Sequence, residues 1–367
     1  SQVALTMVLV IGATTCLFCG LIGVFQHDIK RVIAYSTLSQ LGYMMAGVGA
    51  SAYQAGMFHL FTHGCFKALL FLAAGSVIVA NHHNQDMRKM GGFRRYMPIT
   101  YWTFLIGALA LSAIPPFAGF YSKDTIIEAV GLSSIPGAGY AYICVLIGAF
   151  VTALYTFRAF FLTFHGKENA PEDVKKHLKE SSWTMTLPLI ALAIPSAVLG
   201  LFLIKPLIYT HPGLLGHAIF TLPKYDVLAQ MAPHFHGAWM MAVHAFATLP
   251  FWLAIFGIVC AWYFNLKNPA LAENLKVKFK WLYTIFVKKY GFDDFNQLVL
   301  VNGTQKLGRF IFNVLDVRLI DDWLVNGVGR LIRWVSSTGR RIQTGYLYHY
   351  AFAMAIGLFV LLGWRLL

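Results

Sequence analysis

Residues 114–124 read Ile114-Pro115-Pro116-Phe117-Ala118-Gly119-Phe120-Tyr121-Ser122-Lys123-Asp124. They interrupt an otherwise apolar run from 98 to 131. Those 34 residues would reach about 51 Å as one helix at 1.5 Å per residue, whereas the hydrocarbon core of a bilayer is about 30 Å thick. Pro115 and Pro116 remove two backbone donors, and Gly119 admits non-helical angles. The run therefore predicts two half-helices joined by an unwound stretch at 114–124. Such backbone is tolerated at membrane depth only where it is buried in protein or lines a wet cavity. Broken helices of this kind mark ion sites in transporters.

Outward from this break, the chain alternates long uncharged runs with short charged ones. Of its 367 residues, 58% are apolar and 12% charged, against roughly 25% charged in an average soluble domain. The fold class that follows is an all-α polytopic membrane protein. Spans are expected at about 3–25, 29–50, 53–80, 98–131, 138–165, 183–204, 240–265 and 347–366. The loops around 26–31, 81–97, 166–182 and 266–290 are basic, and those around 50–53, 131–138 and 205–239 carry at most two Lys. The two sets alternate, so the basic set is expected to face the cytoplasm or matrix. The net charge of +14 then belongs to span ends beside anionic headgroups rather than to a nucleic-acid surface. Ser1 leads directly into an apolar span with no basic n-region, so a signal peptide is not expected. The chain is expected to be the C-terminal portion of a longer protein.

From about Phe292 to Gly345, apolar residues such as Leu298, Phe312, Leu315, Trp323 and Trp334 alternate with Lys306, Arg309, Asp316, Asp322 and Arg333. This stretch is too charged to span and too long and apolar for a loop. A helix lying in the interface fits. Gly303, Gly308, Gly327, Gly329 and Gly339 predict kinks or breaks, and the helix needs something to pack against.

Span three holds the sharpest cluster of chemistry, Phe58-His59-Leu60-Phe61-Thr62-His63-Gly64-Cys65-Phe66-Lys67. His59, His63 and Lys67 fall at i, i+4 and i+8, which stacks them on one helix face about 6 Å apart. A histidine pair at this spacing could bind zinc, but no Glu lies between and no third ligand is near in sequence. The pair could also be satisfied structurally by Ser or Thr. The third reading is a proton relay, because imidazole titrates near neutral pH and accepts on one nitrogen while donating from the other. Ionisable groups at membrane depth cost at least about 2.5 kcal/mol each, so a row of them implies function. At the break, Asp124 could pull the desolvated Lys123 back toward its charged form, or the two could form a fixed ion pair. Glu128 is a weaker candidate. Asp28, Lys30 and Arg31 read equally as an interfacial anchor or, with Ser36, Thr37, Ser39 and Gln40, as a wet access from the basic side. The loop histidines His211, His217, His234 and His236 fit solvated side chains better than a metal site. Cys16, Cys19, Cys65, Cys144 and Cys260 all lie in apolar runs and read as small buried side chains. No phosphate loop, dinucleotide fingerprint, nucleophile elbow or iron–sulfur cysteine cluster occurs, so no cofactor is expected in this chain.

Three runs carry a family resemblance: Asp28 through Met44, His59 through Phe71, and Pro115 through Asp124. Together they resemble the proton-pumping membrane subunits of respiratory complex I, which are related to Mrp-type cation/proton antiporter subunits. The charged helix followed by one terminal span is similar to the distal of these, the subunit L / NADH dehydrogenase subunit 5 family. The resemblance implies a second five-helix antiporter-like repeat over 1–165, additional spans and loops over 166–290, a lateral amphipathic helix over 291–345 and a terminal transmembrane helix over 346–367. It also implies a proton pathway through His59, His63, Lys67, Lys123 and Asp124, with Asp28 at its edge, and no metal. The implied activity is proton translocation in NADH:quinone oxidoreductase, driven by electron transfer in other subunits. The implied partners are neighbouring antiporter-like subunits along the lateral helix, and lipids. The implied location is the bacterial inner membrane rather than the mitochondrial one. An Mrp-type antiporter subunit or a membrane-bound hydrogenase subunit is the alternative.

Overall fold

A computed structural model describes residues 1–210 and 218–366 of the chain. His211 and His217 therefore lie outside the described residues. The described residues form helices and no strands, and they divide into two compact units, Ser1–Tyr290 and Gly291–Leu367.

The first unit opens with α1 (Gln2–Phe25), α2 (Ile29–Gly49) and α3 (Tyr53–Ala80). α4 (Pro98–Leu111) and α5 (Ala118–Leu132) are the two halves of the interrupted run, and α6 (Ala138–Phe164) follows. A short surface helix α7 (Glu172–His177) leads to α8 (Trp183–Ile204). α9 (Val227–Met231), α10 (Ala238–His244), α11 (Leu249–Trp262), α12 (Pro269–Lys278) and α13 (Lys280–Val287) complete the unit. Six helices are long and apolar enough to cross a membrane. α2 is not among them because Asp28 to Gln40 makes it polar. The expected span at 240–265 is divided: α10 ends in a 3-10 turn at Ala245–Ala247, and α11 restarts with Pro250 in its first turn. A proline at that position costs no helical hydrogen bond, so the chain breaks there rather than kinking.

The interruption in the 98–131 run is shorter than expected. α4 ends at Leu111 with Ala113 in the left-handed region at φ 57°, the Ile114 N–H donating to Leu109 O at 3.1 Å and the Ala113 N–H to Ala110 O at 3.1 Å. This pattern closes a helix C-terminus and satisfies its last carbonyls. The backbone is helical again from Ala118. Lys123 and Asp124 thus sit in the second turn of α5, not in unwound chain. Gly119 is required there because a Cβ would collide with Ala110 O. Glu180 anchors the other end of α4, its Oε2 accepting from Ile99 N at 2.7 Å and its Oε1 from the Thr100 hydroxyl at 2.6 Å.

α1 and α2 pack backbone to backbone. A Cβ on Gly12 would lie 2.6 Å from Ala46 N and 2.8 Å from the Met45 carbonyl carbon. In a bilayer, apolar burial contributes little to helix association, so small residues that permit close van der Waals packing decide it. At the α1–α2 junction, Arg158 of α6 donates from Nη1 to Gln26 O at 2.6 Å and from Nη2 to His27 Nδ1 at 3.0 Å. The 81–97 loop is stitched to the same place, Ile29 N donating to Gln85 O at 3.1 Å and Met87 N to His27 O at 2.9 Å.

In the second unit, residues 292–340 are helical throughout, wound as π-helix over Asn296–Val301 and Phe312–Val325. The glycines expected to break it do not. None of residues 292–366 is buried, and Leu298, Trp323 and Trp334 are 70%, 71% and 65% exposed. Leu347–Leu366 forms the terminal apolar helix.

Two outcomes test this packing. Gly12→Val is expected to separate α1 from α2 and to destabilise the bundle by about 1–3 kcal/mol, visible as a lowered melting temperature in detergent. His27 is held down to about 4, from an ordinary 6.5, by burial first and then by the Arg158 and Arg88 guanidiniums. The unfolded chain therefore binds a proton between those values that the folded chain does not, so stability should be lost as pH falls from 6.5 toward 4. Histidine nitrogen NMR in non-ionic detergent should find His27 neutral at pH 6.

Candidate functional site

The His59–His63–Lys67 row forms on α3 as its spacing requires. The His59 and His63 rings lie 5.9 Å apart, and the three side chains are 1%, 5% and 4% exposed. Each meets a different neighbour. His59 Nδ1 contacts Ser122 Oγ of α5 at 2.8 Å, and its Nε2 contacts Gln40 Oε1 of α2 at 3.1 Å. Gln40 Nε2 donates on to Thr152 Oγ1 of α6 at 3.5 Å, and Ser122 Oγ also meets Thr62 Oγ1 at 2.7 Å. One imidazole thus ties α2, α3 and α5 together, with both ring nitrogens engaged. His63 packs its ring edge-on against Phe66 at 5.4 Å, and its Nε2 has no protein partner among the described residues. Lys67 Nζ donates to Ile33 O at 3.3 Å and to Ser36 Oγ.

Of the polar residues on α2, only Ser36 and Gln40 face this row. Ser39 Oγ instead donates to Cys16 O of α1 at 2.7 Å, and Thr37 Oγ1 bonds back to Ile33 O at 3.0 Å. Asp28 stands apart from the row. Its carboxylate caps α2 by accepting from Arg31 N at 3.1 Å and pairs with the exposed Arg31 side chain at 3.9 Å. This is the interfacial-anchor geometry.

Lys123 is fully buried, one residue beyond Ser122. Its Nζ lies 4.6 Å from the centroid of the Tyr43 ring and has no hydrogen-bond partner among the described residues. The face of an aromatic ring attracts a cation, and the Tyr43 hydroxyl is fixed by donating to Val145 O at 2.6 Å. Lys123 and Asp124 do not form an ion pair, because adjacent helical residues point roughly 100° apart. Asp124 turns to a cavity of about 220 Å³ that Glu128, Tyr209, His234, His236 and His244 also line. His234 and His236 of the loop thereby share a location with His244 of α10 and Glu128 of α5, which sequence spacing did not show. Among the described residues, no group of three or more His, Cys, Asp or Glu is arranged to hold a metal ion. Ser122 was legible only as part of the quoted motif, and Thr62, Thr152 and Tyr43 had no signal of their own.

The region that holds this constellation, an ionisable row on one helix beside a lysine on the second half of a broken one, is similar in sequence to known proteins. A family profile described as the transmembrane region of the NADH:quinone oxidoreductase/Mrp antiporters matches residues 1–163. NADH-quinone oxidoreductase subunit L of Neisseria meningitidis serogroup A is 46% identical over 99% of this chain and 56% of its own length. Residues 1–163 of the chain belong to this antiporter-like family. The subunit L of Rickettsia conorii is 37% identical over 96% of the chain and 54% of its own length. NADH-ubiquinone oxidoreductase chain 5 of Marchantia polymorpha is 36% identical over 97% and 52%. The chain thus spans about half the length of the curated relatives it matches. The chain is a multi-pass membrane protein, and the matched region contains the whole His59–Lys67 row and Lys123.

Ser122→Ala would leave His59 Nδ1 and the Thr62 hydroxyl without their shared partner. The expected loss is about 1–3 kcal/mol of stability, measured by thermal melting against Ser134→Ala at an exposed position as a control. An unchanged melt would mean that the α3–α5 joint is not made through this hydroxyl.

Proposed function

We propose that the chain is a proton-translocating part of the distal membrane subunit of NADH:quinone oxidoreductase, moving protons from the basic side of the membrane to the opposite side. The observation that carries this reading is the buried row from Lys67 through His63, His59 and Ser122 to Lys123, continued by Asp124 into the open cavity with Glu128 and the three histidines. α3 starts at the sparsely charged side and ends at the basic 81–97 loop, so the row runs along the membrane normal. Lys67 lies nearer the basic side and Asp124 nearer the other.

The chemistry suits protons better than metal cations. A sodium ion needs a shell of oxygen ligands, whereas this row offers chiefly two ammonium groups and two imidazoles. Imidazole passes a proton by accepting at one nitrogen and releasing from the other, and His59 has a polar partner at each. Buried polar atoms without protein partners, such as His63 Nε2 and Lys123 Nζ, are usually satisfied by internal water, which can bridge steps longer than a hydrogen bond. Lys123 rests against an aromatic face and has no fixed carboxylate partner among the described residues. It is therefore the residue whose protonation a conformational change can switch. Protons released there have Asp124 and Glu128 as acceptors at the cavity. Asp28, by its capping geometry, acts as an anchor in this scheme.

The driving force would come from electron transfer in other subunits, and the translocase activity belongs to the assembled complex. The charged helix over 292–340, with its exposed Leu and Trp side chains, supports a role as a brace lying along neighbouring membrane subunits. The high identity to subunit L proteins favours the bacterial inner membrane as the location. The family also includes Mrp antiporters. A subunit of that kind, or of a membrane-bound hydrogenase, would use the same row without a NADH-linked partner.

In the intact complex, Lys123→Ala is expected to lower the proton-to-electron ratio while assembly and NADH oxidation persist. Proton uptake into inverted vesicles, measured with a pH dye, would check it. An unchanged ratio would remove Lys123 from the pathway. Co-purification with flavin and iron–sulfur subunits separates the complex I reading from the antiporter one.

A further inference from the structure

A second cavity, of about 400 Å³, lies on the basic side of the first unit, far along the chain from the ionisable row. The ends of α1 and α6 form one wall, and α12 and α13 the other. Val24, Leu154, Leu275 and Leu282 make it apolar, yet Arg158, His27 and Lys276 all line it. Arg158 spends two of its donors on Gln26 O and His27 Nδ1. No carboxylate lies within ion-pairing distance of it among the described residues. The acids in the neighbourhood are engaged elsewhere, Asp86 with Arg88 at 2.7 Å and Glu273 with Lys276 at 2.5 Å. A guanidinium held between apolar helices without a counter-anion is expensive, and a guanidinium matches a phosphodiester by paired hydrogen bonds.

We propose that this cavity binds one anionic glycerophospholipid, its phosphodiester on Arg158 and Lys276 and an acyl chain along the Val24–Leu154–Leu275 wall. The two halves of the cavity demand the two halves of such a ligand. A free phosphate would leave the apolar wall in water. A zwitterionic lipid would bring its own ammonium up to Arg158 and Lys276. The position is also right, since a membrane face lined with Lys and Arg gathers anionic headgroups. α12 and α13 follow directly after α11 and close the cavity over α1, as seen in the Phe25–Phe286 ring stack at 4.9 Å. A bound lipid would therefore fasten this surface segment to the transmembrane bundle.

The test uses the full chain, delipidated in non-ionic detergent and exposed to phosphatidylglycerol, phosphatidylcholine or inorganic phosphate, with retained lipid counted by native mass spectrometry. One phosphatidylglycerol per chain is expected, held about tenfold more tightly than phosphatidylcholine, and not displaced by phosphate. Arg158→Gln should lower its retention about tenfold, Lys276→Gln by a smaller factor, and Arg158→Lys should restore part of it. Histidine NMR should show the His27 midpoint rising when phosphatidylglycerol is bound, because a phosphate offsets the charge of Arg158. Equal retention of phosphatidylcholine, displacement by free phosphate, or retention unaffected by the substitutions would each overturn the proposal. If Arg158→Gln does not fold, Lys276→Gln, on the exposed side of α12, decides the matter alone.

Discussion

An ionisable side chain in the middle of an apolar bundle must find polar partners, and helices in a bilayer can supply them only from other helices. His59 obeys this constraint by reaching Ser122 on one side and Gln40 on the other. For Ser122 to be there, α5 has to begin near mid-membrane with its first turns pressed against α3. The break at 112–117 makes this possible. α4 stops, the helix is interrupted at Ala113 and the two prolines, and α5 starts where a glycine can pass Ala110 O. Had the 98–131 run continued as one helix, its register would have been set by α4 and not by the needs of His59.

The same constraint explains how charge is distributed along the row. Lys67 is held by a hydroxyl and a carbonyl, Lys123 by an aromatic face, and neither by a carboxylate. Fixed ion pairs would have lowered the cost of burial but would also have pinned the protons. The acids are displaced to the wet end of the row, where Asp124 and Glu128 meet three histidines in an open cavity. The lysines are thus buried within the bundle, while the two carboxylates line the cavity. The basic surface shows the opposite economy. There Arg158 organises the α1–α2 junction through neutral acceptors, so its charge remains available to a ligand.

The second unit is helical but, among the described residues, builds no buried core of its own. Its long helix keeps α-helical winding across five glycines, with π-helical turns over Asn296–Val301 and Phe312–Val325 where no glycine lies. Yet it buries none of its Leu and Trp side chains.

What the sequence by itself determined was the membrane class, the alternation of basic loops, the interruption of the 98–131 run and the stacking of His59, His63 and Lys67. Each rests on local rules: hydropathy against bilayer thickness, proline without a donor, and a helical period of 3.6 residues. The tertiary structure alone decided the partners. Ser122 rather than Asp124 completes the His59 site, because residues two apart on a helix point to nearly opposite sides. Lys123 rests on Tyr43 from a helix some eighty residues away in sequence. Asp28 caps a helix at the surface and does not join the row. His234, His236, His244 and Glu128 share a cavity, and Arg158 meets His27, only because distant helices pack side by side. Such meetings depend on how helix faces fit together, which no local pattern encodes.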